Sequence, residues 1–159
     1  MTPAIDLLNQ HSIDFKVHQY KHSPGVESYG DEAATELGVN PQQLFKTLIV
    51  EAKLNSGSVL VVGIVPVSSS LNLKSLAKAI GAKKAEMADK QKAQISSGYI
   101  LGGVSPLAQK RPLETVIDNS ANKFSSMFVS AGKRGLDVEL APVDLAKLTK
   151  ASFADIATA

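Results

Sequence analysis

Two apolar runs, residues 47–52 and 59–65, are separated only by Lys53-Leu54-Asn55-Ser56-Gly57-Ser58. Each run is long enough for a buried strand, and Asn, Ser and Gly between two such runs signal a hairpin. A connection this short leaves no room for the crossover that parallel strands need. An antiparallel pair is therefore expected over these two runs, to be covered by other elements of the chain.

The covering elements can be read from their caps and periods. Thr2 caps and Pro3 opens a helix over 3–9, with Ala4, Ile5 and Leu8 facing inward. Residues 15–20 alternate, Phe15 and Val17 against Lys16, His18 and Tyr20, which predicts a half-buried strand. Residues 31–37 read as a short helix with acids in its first turn and Gly38 as its stop. Asn72 caps a helix that buries Leu73, Leu76, Ala77 and Ile80 and ends at Gly81. Residues 89–96 predict another helix. Short strands are expected at 99–101, 114–117, 127–130 and 136–140, then a helix at 142–148 with a last turn near Ala154. Strands outnumber helices, and most neighbours are joined too closely for crossovers. The expected class is α/β of the α+β type: a mixed, mainly antiparallel, barrel-like sheet with peripheral helices. No repeat, low-complexity segment or linker divides the chain, so residues 1–159 are expected to form one domain.

Composition narrows the chemistry. There is no cysteine, which excludes disulfides, thiol nucleophiles and thiolate metal sites. The first residues carry neither a basic stretch nor a long apolar run, so no signal peptide is expected. The longest apolar stretch, 59–67, is broken by Gly63 and Pro66 and falls far short of the roughly 20 residues that a membrane span needs. A cytoplasmic protein without membrane contact is expected. The net charge is only +2, low for a bulk electrostatic nucleic-acid binder. Between Lys74 and Arg111, however, Lys74, Lys78, Lys83, Lys84, Lys90, Lys92, Lys110 and Arg111 face only Glu86 and Asp89. That segment is either a phosphate-facing surface or a solvated lysine-rich one.

No phosphate-binding loop, nucleophile elbow, zinc-protease motif or dinucleotide fingerprint is present. His18 and His22 are close in sequence, but no further ligands can be placed beside them, so neither a metal nor any other cofactor is expected. Four features remain. Lys46, in Phe45-Lys46-Thr47-Leu48-Ile49-Val50, sits at the mouth of an apolar strand. It either aims its ammonium into a cleft or snorkels from a strand edge. Gly102-Gly103-Val104-Ser105-Pro106 is either a plain loop or one that lets a ligand approach its backbone. Ser130-Ala131-Gly132-Lys133-Arg134-Gly135-Leu136-Asp137 is either an anion-binding turn or a hairpin with a charged tip. Tyr20 and Tyr29, the latter in Tyr29-Gly30-Asp31-Glu32, either stack on a base or pack an edge.

These motifs have a joint precedent. Met1-Thr2-Pro3-Ala4-Ile5, Tyr29-Gly30-Asp31-Glu32-Ala33-Ala34, Phe45-Lys46-Thr47-Leu48, Ala82-Lys83-Lys84-Ala85-Glu86-Met87-Ala88-Asp89, Ser97 to Leu107 and Ser130 to Leu140 occur in this order and spacing. With the closing Asp144-Leu145-Ala146-Lys147, the chain resembles the YbaK-type Cys-tRNA(Pro) deacylases, free-standing relatives of the editing domain inserted in bacterial prolyl-tRNA synthetases. The resemblance implies the mixed barrel-like fold and hydrolysis of mischarged tRNA. It places the essential lysine at Lys46 and the G-x-x-x-P loop at Gly102 through Pro106. Family pocket positions fall on Tyr20, Tyr29, Thr47, Ser130 and Asp137. Tyr29 replaces a phenylalanine and keeps the aromatic face; Ala131 replaces a glycine.

The implied chemistry is post-transfer editing. Apolar pockets discriminate by only about 1–3 kcal/mol per methylene, so a proline pocket admits cysteine and alanine. The resemblance suggests that the cysteinyl thiol attacks its own ester. Lys46 would supply positive charge or hold the terminal phosphate, the amides of Gly102 and Gly103 would stabilise the oxyanion, and Ser105 and Pro106 would bind substrate. Thr47, Ser130 and Asp137 would position the amino group and ribose. The expected partners are the 3′-aminoacyl-adenosine end of mischarged tRNA and prolyl-tRNA synthetase, with the chain itself a monomer. Two alternatives stay open: a related deacylase that prefers Ala-tRNA(Pro) and uses water, and a non-catalytic module that binds tRNA or the synthetase. A third, a nucleotide-binding stress protein, would use the Gly-rich loops for a free phosphate.

Overall fold

The central hairpin forms, and it outgrows its apolar runs. The computed structural model describes residues 1–23 and 29–158. β2 (Phe45–Leu54) pairs with β3 (Gly57–Pro66) from Phe45 against Pro66 to Leu54 against Gly57. The turn shrinks to Asn55 and Ser56, because backbone groups keep pairing past the last buried side chain.

β2 and β3 lie inside a five-stranded sheet of order β5-β2-β3-β6-β9, with β5 (Lys84–Met87), β6 (Glu114–Asp118) and β9 (Ser152–Ala154). β6 is parallel to β3 and to β9; the other pairs of this sheet are antiparallel. A second, antiparallel sheet runs β1-β8-β7, from β1 (Phe15–Gln19), β7 (Met127–Lys133) and β8 (Leu136–Leu140). A two-stranded sheet pairs β4 (Ser70–Leu71) with β10 (Ala157–Thr158). The mixed, mainly antiparallel character is as expected, but the sheets do not close into a barrel. The two larger sheets meet through the Leu44–Phe128 bridge and a bond from the Phe128 amide to the Gln43 carbonyl, 3.1 Å. β5 pairs with Val50–Lys53 only, and among the described residues that side of β2 has no ladder partner along Phe45–Leu48.

The period-two pattern of the central strands divides the core. Ile49, Val62, Ile64 and Ile117 face one apolar cluster, which also takes Ile5 and Leu8 from α1 (Pro3–Gln10) and Leu145 from α5 (Pro142–Thr149). Val50, Val61, Val65 and Val116 face the other, closed by Leu76 of α3 (Leu73–Ile80) and by Ile156. The expected caps are made: Thr2 Oγ1 accepts from the Ile5 amide (3.3 Å) and Asn72 Oδ1 from the Ser75 amide (3.0 Å). A smaller cluster of Ala33, Ala34, Leu44 and Phe128 seats α2 (Tyr29–Leu37) where the two larger sheets meet.

Two further expectations need correction, and one strand is additional. Residues 99–101 are not a strand. They follow α4 (Lys90–Ser97) in a long loop whose bonds go to side chains and to a turn. The Tyr99 amide donates to Ser97 Oγ (3.1 Å), the Leu101 amide to Gln94 Oε1 (3.0 Å) and the Gly103 amide to the Ile100 carbonyl (3.0 Å). Bonds from the Lys110 and Arg111 amides to the Ser97 and Ser96 carbonyls (2.9 and 3.0 Å) tie the loop's ends together. The last turn near Ala154 is instead the strands β9 and β10. β5 was not foreseen: its exposed Lys-Ala-Glu-Met has no apolar alternation, and only the vacant edge of β2 makes it a strand.

Candidate functional site

The start of β2, on its side away from β3, Ser130 of β7 and the first turn of α2 enclose a cleft of about 660 Å³. Seven of the expected residues line it: Tyr20, Tyr29, Lys46, Thr47, Gly102, Ser130 and Asp137. They come from six separate stretches of chain, so only the fold brings them together. Lys46 enters from the free edge of β2, is half-buried and lines the cleft. Burial pulls its ammonium below the ordinary lysine range, and the nearby Asp31 charge partly restores it.

Asp137 faces Ser130 across the β7–β8 pair. It is 3% exposed, and its carboxyl has no side-chain hydrogen bond or ion pair among the described residues. Burial pushes its carboxyl up to about 7. Ser130 Oγ accepts from the Gly132 amide (3.2 Å), which leaves its hydroxyl proton for another acceptor. Thr47 Oγ1 is buried without a partner among the described residues. Buried polar groups are normally paired, so Thr47 and Asp137 mark a wall that lacks its complement. Burial likewise raises the Tyr20 hydroxyl.

The other three expected residues stand behind the wall. Gly103 lines a second depression, of about 420 Å³, on the far side of its loop. A Cβ there would lie 2.8 Å from Lys133 Cα and Arg134 N, so glycine is required because two backbones touch. Its amide is committed to Ile100, a bond it would have to give up to hold an oxyanion. Ser105 is fully buried, its Oγ accepting from the Leu107 amide (3.2 Å), and Pro106 is buried beside it. These two do not reach the cleft as substrate-binding residues would; they shape the loop from within.

The segment from Ser130 to Asp137 is a hairpin with a charged tip. β7 carries two extra residues, Ala131 and Gly132, before Arg134 and Gly135 turn the chain. Gly132, at φ 101°, leaves room for the Tyr99 ring, whose hydroxyl donates to the Leu107 carbonyl (2.5 Å). His18 binds Glu139 (3.0 Å), while the His22 ring lies against Gly135.

Sequence reading missed Asp31, Lys90, Val67 and Val104, which also line the cleft. Asp31 lies two residues after Tyr29, but nothing local ties it to a lysine on another element. Lys90 was one of many lysines in the basic segment. Neither histidine nor cysteine lines the cleft. The site thus offers two ammonium groups, Lys46 and Lys90, the carboxyls of Asp31 and Asp137, hydroxyls and aromatic faces. That suits binding and orienting a charged ester, but it lacks a conventional nucleophile–base pair.

A model of the aminoacyl-tRNA editing domain matches residues 23–148. The chain belongs to this family. A protein of Enterococcus faecalis named as a candidate Cys-tRNA(Pro)/Cys-tRNA(Cys) deacylase, EbsC, is 36% identical over 157 residues, 99% of this chain and 93% of that one. Two solved structures share the fold. One is the hypothetical protein APE2540 (TM-score 0.85, 23% identity, 98% and 99% of the two chains). The other is titled as a candidate trans-editing enzyme for prolyl tRNA synthetase (TM-score 0.81, 21% identity, 100% and 99%). The resemblance seen in the ordered motifs is therefore borne out. No helix among the described residues of this editing domain is long and apolar enough to cross a membrane.

Proposed function

We propose that this chain is a trans-editing deacylase that hydrolyses Cys-tRNA(Pro), with the cysteinyl thiol as the attacking group. The observation that carries the reading is a cleft with ammonium and carboxyl groups but neither histidine nor cysteine. Such a site holds an aminoacyl ester well and leaves the nucleophile to the substrate. The name of the Enterococcus faecalis relative and the editing family support the activity and the amino acid.

In the reaction, the substrate sulfur bonds to its own ester carbonyl carbon and the bond from that carbon to the ribose 3′-oxygen breaks. The thiol proton ends on the 3′-hydroxyl, and water later opens the released cyclic thioester. A free thiol ionises near 8.5, so the Lys46 ammonium favours the thiolate and holds the terminal phosphate or the carbonyl oxygen. Asp137 accepts from the substrate ammonium, and Thr47 and Ser130 position the amino group and ribose. Tyr20 and Tyr29 flank the terminal adenine. Gly102 lets the substrate backbone approach, while Gly103, Ser105 and Pro106 keep that loop in place. The net charge of +2 gives modest grip on tRNA, so prolyl-tRNA synthetase supplies the tRNA selectivity. The chain acts as a single editing domain, a monomer in the cytoplasm.

Single-turnover deacylation of Cys-tRNA(Pro), Ala-tRNA(Pro) and Ser-tRNA(Pro) tests this. Cysteine should be lost fastest, and Lys46→Ala should slow that loss by about 10²-fold or more. Faster loss of alanine or serine refutes attack by the thiol. Binding of tRNA without any hydrolysis refutes the deacylase reading.

A further inference from the structure

The tip of the β7–β8 hairpin is fastened to the helix that carries Tyr29. Arg134 Nε and Nη2 both donate to Glu32 Oε1, at 3.2 and 2.9 Å, and Nη2 also donates to the Ser23 carbonyl at 2.6 Å. The other oxygen of Glu32 accepts from the Ser23 amide at 2.9 Å. These bonds hold the Glu32 carboxyl below its ordinary range. Side-chain exposure is 19% for Arg134 and 8% for Glu32, so the pair is largely shielded from water.

The same guanidinium lies 4.8 Å from the centre of the Tyr29 ring. A Cβ on Gly102 would stand 3.4 Å from two atoms of that ring and 3.5 Å from Arg134 Cδ. Tyr29 is thus held by the guanidinium and by the Gly102 backbone, although it is 38% exposed at the first residue of α2. A cation at this distance from an aromatic ring attracts it, and a planar guanidinium can do so while binding a carboxylate and a carbonyl. An ammonium cannot reproduce that set of contacts.

We propose that Arg134 is a positioning residue of the site, anchored by Glu32 and Ser23, which fixes the Tyr29 ring as a rigid wall of the cleft. The substrate's terminal nucleoside then meets a preset flat surface and does not have to immobilise a rotating ring. The kinetic half of this proposal rests on the deacylase reading; the structural half does not.

The experiment pairs kinetics with spectroscopy. Deacylation of Cys-tRNA(Pro) is measured for wild type, Arg134→Lys, Arg134→Ala, Tyr29→Ala and the double variant Tyr29→Ala/Arg134→Ala. Ring resonances of the three tyrosines are recorded by NMR on tyrosine-labelled protein. Either substitution at Arg134 should raise KM by about three- to tenfold and leave kcat within about twofold. Arg134→Ala should add nothing in the Tyr29→Ala background. The Tyr29 ring signals should move to those of a free tyrosine in Arg134→Ala, with a smaller shift at Tyr20, which also feels the Arg134 charge, while Tyr99 stays put. Unchanged Tyr29 signals, or the same KM increase in both backgrounds, overturns the proposal. If wild type does not hydrolyse the ester, the deacylase reading fails by itself, and the resonances still decide the positioning role. Should Arg134→Ala not fold, Arg134→Lys and Glu32→Gln carry the same comparison.

Discussion

Asp137 gives the sharpest test of the site's electrostatics, because its cost appears in stability as well as in activity. In the unfolded chain its carboxyl ionises near 3.8, whereas in the fold burial keeps it protonated up to about 7. Between those values the folded state binds more protons than the unfolded state, so stability falls as pH rises through the window. From 3.8 to 7 is 3.2 on the pH scale, and at about 1.4 kcal/mol for each step of one the full penalty is about 4 kcal/mol. The penalty is absent below pH 3.8 and complete above pH 7. Asparagine has the same shape and no charge to bury. Asp137→Asn should therefore match wild type near pH 4 and exceed its stability by up to about 4 kcal/mol at pH 8. Urea unfolding of both proteins at pH 4, 6 and 8 measures this, and taking the difference cancels every other titrating group. A difference independent of pH would refute an unpaired buried carboxyl. A wild type that gains on the variant with rising pH would place a cation beside Asp137. Activity should move the opposite way, since the stabilised variant no longer carries the charge that meets the substrate ammonium.

Two further substitutions probe the frame around the cleft. Gly103→Ala puts a methyl 2.8 Å from the backbone of Lys133 and Arg134, and overpacking of this kind costs about 1–3 kcal/mol. Thermal unfolding should show the loss together with slower deacylation, and a wild-type melting temperature would mean that the two backbones part without cost. Asp118→Ala strands the buried Ile156 amide and the neighbouring Ala157 and Ser120 amides, which its carboxylate accepts at 2.9, 3.0 and 3.1 Å. Stability should fall by about 3 kcal/mol or more, with activity per folded molecule unchanged; a loss below about 1 kcal/mol in urea would show that water replaces the carboxylate.

The legible parts of this protein are those set by neighbours in the chain. The hairpin of β2 and β3, the Thr2 and Asn72 caps and the stop at Gly81 rest on period, side-chain size and hydrogen bonds within a few residues. Lys46, Tyr29, Gly102, Ser130 and Asp137 were legible only through the resemblance carried by the ordered motifs, because the local sequence around each left a structural alternative open. Residues 99–101 misled because three apolar residues look like a strand until a neighbouring strand is found wanting. β5 hid for the converse reason, since a strand edge elsewhere in the molecule created it.

The amino-acid sequence by itself determined which segments alternate, which cap, and which residue types could serve chemistry. The tertiary structure alone decided that Lys46 of β2 and Asp137 of β8 share one cleft, and that Asp137 is buried in its wall beside a Thr47 hydroxyl with no partner among the described residues. It also decided that Gly103 is a contact between two backbones, and that Arg134 reaches 102 positions back along the chain to Glu32. The physical reason is common to all four. Burial, desolvation and close approach depend on what the rest of the chain brings within a few ångströms, and local sequence carries no measure of that distance.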